Sequence, residues 1–178
     1  MDVEIRTPRL LLRPQREADI PAIMAGLNDW QVARWLTAVP YPYSRADAEE
    51  WIGRQTPPVP GQAHFAIDLQ GAGLIGVATL DSELGYWLAS SEHGRGYMTE
   101  ACTALLEWHF ASLPDSVVPS GYHAGNAASA AVQRKLGFVE SGARDMRFVR
   151  SQGREVEHVN TSLTREQFEA SAARRGRM

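Results

Sequence analysis

The stretch His93-Gly94-Arg95-Gly96-Tyr97-Met98-Thr99-Glu100-Ala101 joins two glycines and a cation to the start of an apolar periodic segment. Glycine at positions 94 and 96 lets the backbone bend tightly and present successive N–H groups. A helix starting there adds first-turn N–H donors that lack intrahelical acceptors, and the positive end of a helix dipole. Such a bend holds phosphate oxygens, and Arg95 adds a full charge. Glycines before a helix also serve simply as turn formers, so the bend alone does not decide. Two other phosphate loops fit poorly. No Lys-Ser or Lys-Thr follows, and the third glycine of a dinucleotide fingerprint is missing.

The elements that must position this bend can be read on either side of it. Arg9 to Pro14 is a short apolar run closed by proline and reads as a first strand. Asp19 can cap a helix whose Ile20, Ile23, Met24 and Leu27 fall on one stripe. Ser44 opens a second helix, with Asp47 in the capping-box place and Ala48, Trp51 and Ile52 facing inward. Pro57 to Gly61 is a loop. Three strands, His64 to Leu69, Leu74 to Leu80 and Glu83 to Ala89, form an antiparallel meander leading into the bend. A helix over about Met98 to Ala111 turns Ala101, Ala104, Leu105 and Trp108 to one face. Val117 to Tyr122 follows as a strand despite Pro119. Asn126 caps a helix carrying Ala128, Val132 and Leu136 inward, and Gly137 ends it in the left-handed conformation so that Phe138 folds back on Val132. Strands around Asp145 to Arg150 and Val156 to Leu163 finish the chain, and a tail from Ala170, with Arg174, Arg175 and Arg177, is expected to fray. The order predicts a mixed α/β single domain over residues 1–178, with its core at about 7–168, on one central sheet.

Bulk properties narrow the classes further. The 178 residues carry a net charge of −3, which excludes a generally basic nucleic-acid binder. One cysteine, Cys102, permits no internal disulfide and no Cys-based metal cluster. The five histidines show no metal spacing, so no metal is expected. No apolar leader opens the chain, and no stretch approaches the roughly 20 apolar residues that span a bilayer. A soluble cytoplasmic protein, with no membrane and no nucleic-acid partner, is the expectation.

The bend, preceded by Gly85-Tyr86-Trp87, resembles the coenzyme A pyrophosphate loop of the GNAT N-acetyltransferases. Asn126-Ala-Ala-Ser129 with Lys135-Leu136-Gly137-Phe138 resembles that family's second signature. The opening Thr7-Pro8-Arg9-Leu10-x-Leu12-Arg13 is similar to its RimJ/RimL-like branch, whose named members acetylate ribosomal-protein N-termini. The likeness runs from about Thr7 to Phe168. It departs at Ser91, where the family usually carries Gln or Arg, so no such side-chain contact is carried over.

The resemblance implies a mostly antiparallel sheet with helices on both faces and a splayed strand pair, one strand ending at Leu88-Ala89 and the other near Tyr122. Acetyl-CoA is implied as co-substrate, its pantetheine arm between the two strands. Its contacts fall on Leu88, Ala89, Gly94, Arg95, Gly96, Tyr97, Met98, Thr99, Asn126 and Ser129. A backbone N–H near Leu88 or Ala89 would meet the oxyanion. The implied activity moves an acetyl group to an amine by direct attack in a ternary complex.

A lysine-like amine, of pKa about 10.4, is neutral at pH 7 in roughly one molecule per few thousand, whereas a peptide α-amine is neutral about a tenth of the time. Glu83, where the family often carries a Glu, is the first candidate base, against the alternative of a solvent-facing strand residue. Glu100 is the rival, or else a partner of the helix start. Ser129 is the candidate acid for the leaving thiolate, or only a helix-start residue. Asn126 is both cap and pantetheine ligand, and Tyr122 and His123 are held in reserve. Trp30, Trp35, Tyr41 and Tyr43 are candidates for the acceptor pocket, or simply core. The acceptor is a protein N-terminus or a small amine such as a polyamine, antibiotic or amino acid. A non-catalytic acyl-CoA sensor and a non-CoA nucleotide binder are the alternatives, and the oligomeric state, with a dimer among the options, is open.

Overall fold

In a computed structural model, which describes residues 3–175, the chain builds two antiparallel sheets and six helices among those residues. The first sheet runs β1 (Ile5–Arg6), β2 (Leu10–Pro14), β3 (Ala63–Leu69), β4 (Gly73–Leu80) and β5 (Leu84–Leu88) in sequence order. Between β2 and β3 lie α1 (Ile20–Leu27), α2 (Trp30–Ala33) and α3 (Arg45–Gly53). Beyond β5 come α4 (Tyr97–Ser112), β6 (Val117–His123), α5 (Ala127–Leu136), β7 (Val139–Val149), β8 (Arg154–Thr164) and α6 (Arg165–Arg175). The second sheet has the order β6-β8-β7.

The central sheet is divided between β5 and β6, the strand pair whose splaying the family resemblance implied. The two strands touch where the Ser120 hydroxyl donates to the Leu84 carbonyl at 2.8 Å, and no backbone ladder joins them beyond that point. One apolar core spans the division, with Leu10, Leu12, Phe65 and Ile67 on one side and Val118, Leu136 and Leu163 on the other. Leu105 and Leu106 of α4 pack between them. A second cluster joins Ile23, Leu27, Val32, Tyr43 and Ala48 under α1 to α3.

Most local signals act as their chemistry dictates. The Ser44 side chain accepts from the Asp47 N–H while Asp47 accepts from the Ser44 N–H, closing the capping box on α3. Gly137 ends α5 at φ +100°, with the Phe138 N–H returning to the Gln133 carbonyl. Pro119 lies on β6, an edge strand, where a missing donor is tolerated.

Other expectations are corrected. Asp19 precedes α1 but gives its carboxylate to Arg13, at 2.8 Å on each oxygen, and to the Arg16 N–H, making no side-chain cap on α1. Ala128 is exposed and Gln133 is buried instead, because α5 turns a polar residue onto the β6 and β8 hydroxyls of Ser120 and Thr161. β7 begins at Val139, well before Asp145. Its exposed first half has no apolar alternation to read and is held by the ladder to β8 across a register shift between Glu140 and Arg144. The tail expected to fray is helical through Arg175. Ser171 is buried and its hydroxyl donates to the Leu136 carbonyl at 2.8 Å, while Arg175 bonds the Lys135 carbonyl. Arg177 lies outside the described residues.

Candidate active site

The bend after β5 is a main-chain construction. Gly94 and Gly96 have φ of +74° and +79°, a region costly for residues with a Cβ, and Gly96 stands as the N-cap of α4. A Cβ at Gly94 would meet nothing within 4 Å, so open space lies over the bend. The Glu100 N–H returns to the Gly96 carbonyl, while those of Tyr97, Met98 and Thr99 have no intrahelical acceptor and face the bend with the helix dipole. Backbone donors, positive φ and empty space fit a diphosphate. Met98 contributes only main chain, since its side chain is buried in the core. Arg95 is solvent-facing and paired with Glu92 at 3.3 Å, so its charge is partly answered before any phosphate arrives.

The opening Thr7-Pro8-Arg9 motif supports this bend from behind. Glu100 accepts from the Thr7 hydroxyl at 2.6 Å, from the Arg9 N–H at 3.0 Å and from Arg9 Nε at 2.6 Å. Arg9 Nη1 donates to the Arg95 carbonyl at 2.9 Å, and its guanidinium lies 4.5 Å over the Tyr97 ring. Burial works to raise the Glu100 carboxyl, but the bonds from Thr7 and Arg9 together hold it below its ordinary value. Glu100 is thus a brace between chain start and bend, neither a free base nor a partner of the helix start alone.

From the bend a cavity of about 950 Å³ runs along the gap between β5 and β6 to a wall that includes Trp35, Tyr43 and Trp87. Leu88 and Ala89, the alternative N–H donors expected for the oxyanion, separate here. Ala89 spends its N–H on the Ile75 carbonyl and its carbonyl on the Glu92 N–H. Antiparallel pairing alternates donor direction, so the N–H of Leu88, opposite Gly76, points away from β4 toward the gap. Leu88 lines the cavity and Ala89 is removed from the role.

Asn126 resolves its two roles by atom: Oδ1 accepts from the Ser129 N–H at 3.1 Å, and Nδ2 has no partner among the described contacts. The Ser129 hydroxyl lies 2.8 Å from the Tyr86 hydroxyl, a partner that sequence reading quoted only as part of a motif. Burial pushes the Tyr86 phenol up, so it stays protonated. The Cys102 thiol is buried and likewise pushed up by burial, making it a packing group beside Met98.

Of the four aromatics assigned to the acceptor pocket, Trp35 and Tyr43 line the cavity. Trp30 and Tyr41 do not line it; they are 40% and 43% exposed and pack edge-on against each other at 5.2 Å. Glu83 faces the cavity just before β5, with Arg147 on both carboxylate oxygens at 3.0 and 3.3 Å. His123 is buried, its Nε2 3.0 Å from the Thr37 hydroxyl. Tyr122 donates to Glu140 at 2.7 Å. Arg147, Thr37 and His158 reach this end from distant segments and carry no local signal that would have singled them out. Among the described residues no group of three or more His, Cys, Asp or Glu could hold a metal ion, and no helix is long and apolar enough to cross a membrane.

A family model described as "Acetyltransferase (GNAT) domain" matches residues 9–139. The chain belongs to the GNAT acetyltransferases. This GNAT chain is 31% identical over 170 residues to the Bacillus subtilis protein named "Putative ribosomal N-acetyltransferase YdaF", covering 89% of this chain and 91% of that one. Among solved structures it is similar to RimJ of Mycobacterium smegmatis in complex with CoA-disulfide, with a TM-score of 0.76 at 23% identity, over 93% of this chain and 87% of that one. It is similar also to the ribosomal-protein-S5-alanine acetyltransferase of Vibrio fischeri, with a TM-score of 0.76 at 21% identity, over 94% of this chain and 99% of that one. These likenesses agree with the RimJ/RimL-like opening, and the protein is an acetyl-CoA-dependent N-acetyltransferase.

Proposed function

We propose that this enzyme acetylates the α-amino group of a protein N-terminus, by direct attack with both substrates held together. The observation that carries direct attack is the cavity itself, which is lined both by the Gly94–Gly96 bend and by Trp35 and Tyr43. Bound there, acetyl-CoA supplies an activated acetyl thioester. The first-turn N–H groups of α4 hold its diphosphate, and the Leu88 N–H is aimed at the developing oxyanion. Ser129, with Tyr86 behind it, donates a proton to the departing thiolate. Glu83, fixed by Arg147, presents negative charge to the incoming ammonium. Cys102, the single thiol, is too deeply buried to carry an acetyl group.

The acceptor reading leans on the names borne by the relatives. An α-amine is also neutral far more often at pH 7 than a lysine side chain, which suits a site whose carboxylate is already paired. The test is free-thiol release from acetyl-CoA against N-terminal peptides, polyamines, aminoglycosides and amino acids. Peptides should lead in kcat/KM by on the order of tenfold or more. A small amine leading instead, or ping-pong kinetics with an isolable acetyl-enzyme, would overturn the reading.

A further inference from the structure

One face of the second sheet carries groups that the reading above leaves unused. The register pairs His123 with His158, Gly121 with Asn160 and Asp145 with His158, so these residues share that face. His158 is 4% exposed and its ring lies 5.2 Å from that of His123 at 75°. A Cβ on Gly121 would come within 2.1 Å of His158 Cε1 and 2.8 Å of Nε2, so the imidazole fills room that only glycine leaves. Gly121 directly follows Ser120, whose hydroxyl joins β6 to β5. The His158 ring therefore sits where the two strands begin to part, lining the cavity together with Glu83 and Arg147.

The polar contacts around the ring point to which nitrogen is basic. Arg147 Nη2 faces Asn160 Oδ1 at 3.4 Å, and a guanidinium only donates, so the Asn160 atom there is the oxygen. The Asn160 Nδ2, correspondingly, points to the Ala143 carbonyl at 3.5 Å. His158 Nδ1 lies 3.3 Å from the same oxygen, an acceptor, which matches the Nδ1–H tautomer. In a neutral imidazole the lone pair is then on Nε2, which has no partner among the described contacts.

Every element packed around the ring contributes to its charge state. Burial and the Arg147 cation on β7 push His158 below its ordinary value, while Glu83 on the β4–β5 turn, Asn160, and Asp145 on β7 act the other way. His123 on β6 is itself held low by burial, by His158 and by Arg147.

We propose that His158 Nε2 is the catalytic base that takes the proton from the attacking amine, with Asn160 the positioning residue that fixes its tautomer. This rests on the transferase reading above. The amine nitrogen bonds to the acetyl carbon and its N–H proton passes to Nε2. The C–S bond breaks with its electron pair on sulfur, which takes a proton from the Ser129 hydroxyl. His158 returns its proton to water, and Ser129 recovers one from water, as products leave.

The test pairs kinetics with a measurement that needs no turnover. In His158→Gln, kcat/KM for the amine should fall by about 100-fold, in the range for loss of a general base, with CoA affinity within twofold of the unsubstituted enzyme. Besides the limb set by the amine's own ionisation at about pH 8, the unsubstituted enzyme should lose activity through a further limb below about 6.5, because only the neutral imidazole accepts a proton. The variant should keep the amine's limb but lack this one. Nitrogen NMR of labelled imidazoles, without acetyl-CoA, should show His158 as the Nδ1–H tautomer, and this reading stands even if the variant does not fold. An Nε2–H tautomer, or a variant within threefold of the parent with the limb intact, overturns the assignment while leaving the transferase reading. Failure of the unsubstituted enzyme to acetylate any amine overturns both.

Discussion

The two ends of the cavity are made in opposite ways. The end proposed for the cofactor is main chain, contributed by one short stretch from Gly94 to Thr99 and aimed by the start of α4. The end proposed for the acceptor is side chain, with Thr37 after α2, Glu83 before β5, His123 on β6, Arg147 on β7 and His158 on β8 brought together from across the chain. The difference follows from what each end must bind. A diphosphate presents the same oxygens in every acetyl-CoA, and backbone N–H groups satisfy it without help from residue identity. Proton transfer at a variable amine needs titratable groups in set tautomers, and only side chains supply those.

This contrast predicts that substitutions at the two ends move different quantities. The largest effect belongs to His158→Gln, described above, which acts on amine turnover and spares CoA affinity. Its counterpart is Gly96→Val. Holding a branched residue at φ +79° costs about 2 kcal/mol, so CoA should bind about 30-fold more weakly in calorimetric titration with the acid limb of the pH profile unchanged. A Gly96→Val enzyme with normal CoA affinity would break the account of the cofactor end. Glu83→Gln should lower kcat/KM for the amine by about tenfold, less at high salt, while keeping the histidine limb. Steady-state runs at two ionic strengths check this, and loss of the limb in this variant would move the base from His158 to Glu83. The smallest change is expected from Ser129→Ala, about fivefold in kcat, because a thiolate of pKa about 8.5 leaves without much assistance. A solvent isotope comparison of the two enzymes reports whether that proton is in flight.

Legibility in the sequence followed the same division. The Ser44–Asp47 box, the Gly137 stop and the Gly94–Gly96 bend are contacts between residues a few positions apart, and spacing alone reveals them. Asn126 as cap belongs with them. Glu100 showed only its helix-start role, because its further partners, Thr7 and Arg9, lie far away in the chain. Between Leu88 and Ala89 the sequence left the oxyanion donor open, because donor direction depends on which register β5 takes against β4. Trp30 and Tyr41 read like Trp35 and Tyr43 in composition, and only packing turned one pair outward.

By itself the sequence determined the order of the principal strands and of helices α1, α3, α4 and α5, the glycine bend before α4 and membership in a family that transfers acetyl groups. These depend on backbone preferences and short-range spacing, which any folded context must respect. The tertiary structure alone decided which N–H faces the gap, and that a glycine on β6 leaves room for a histidine on β8. Those outcomes depend on strand register, and register is settled by the packing of the whole core.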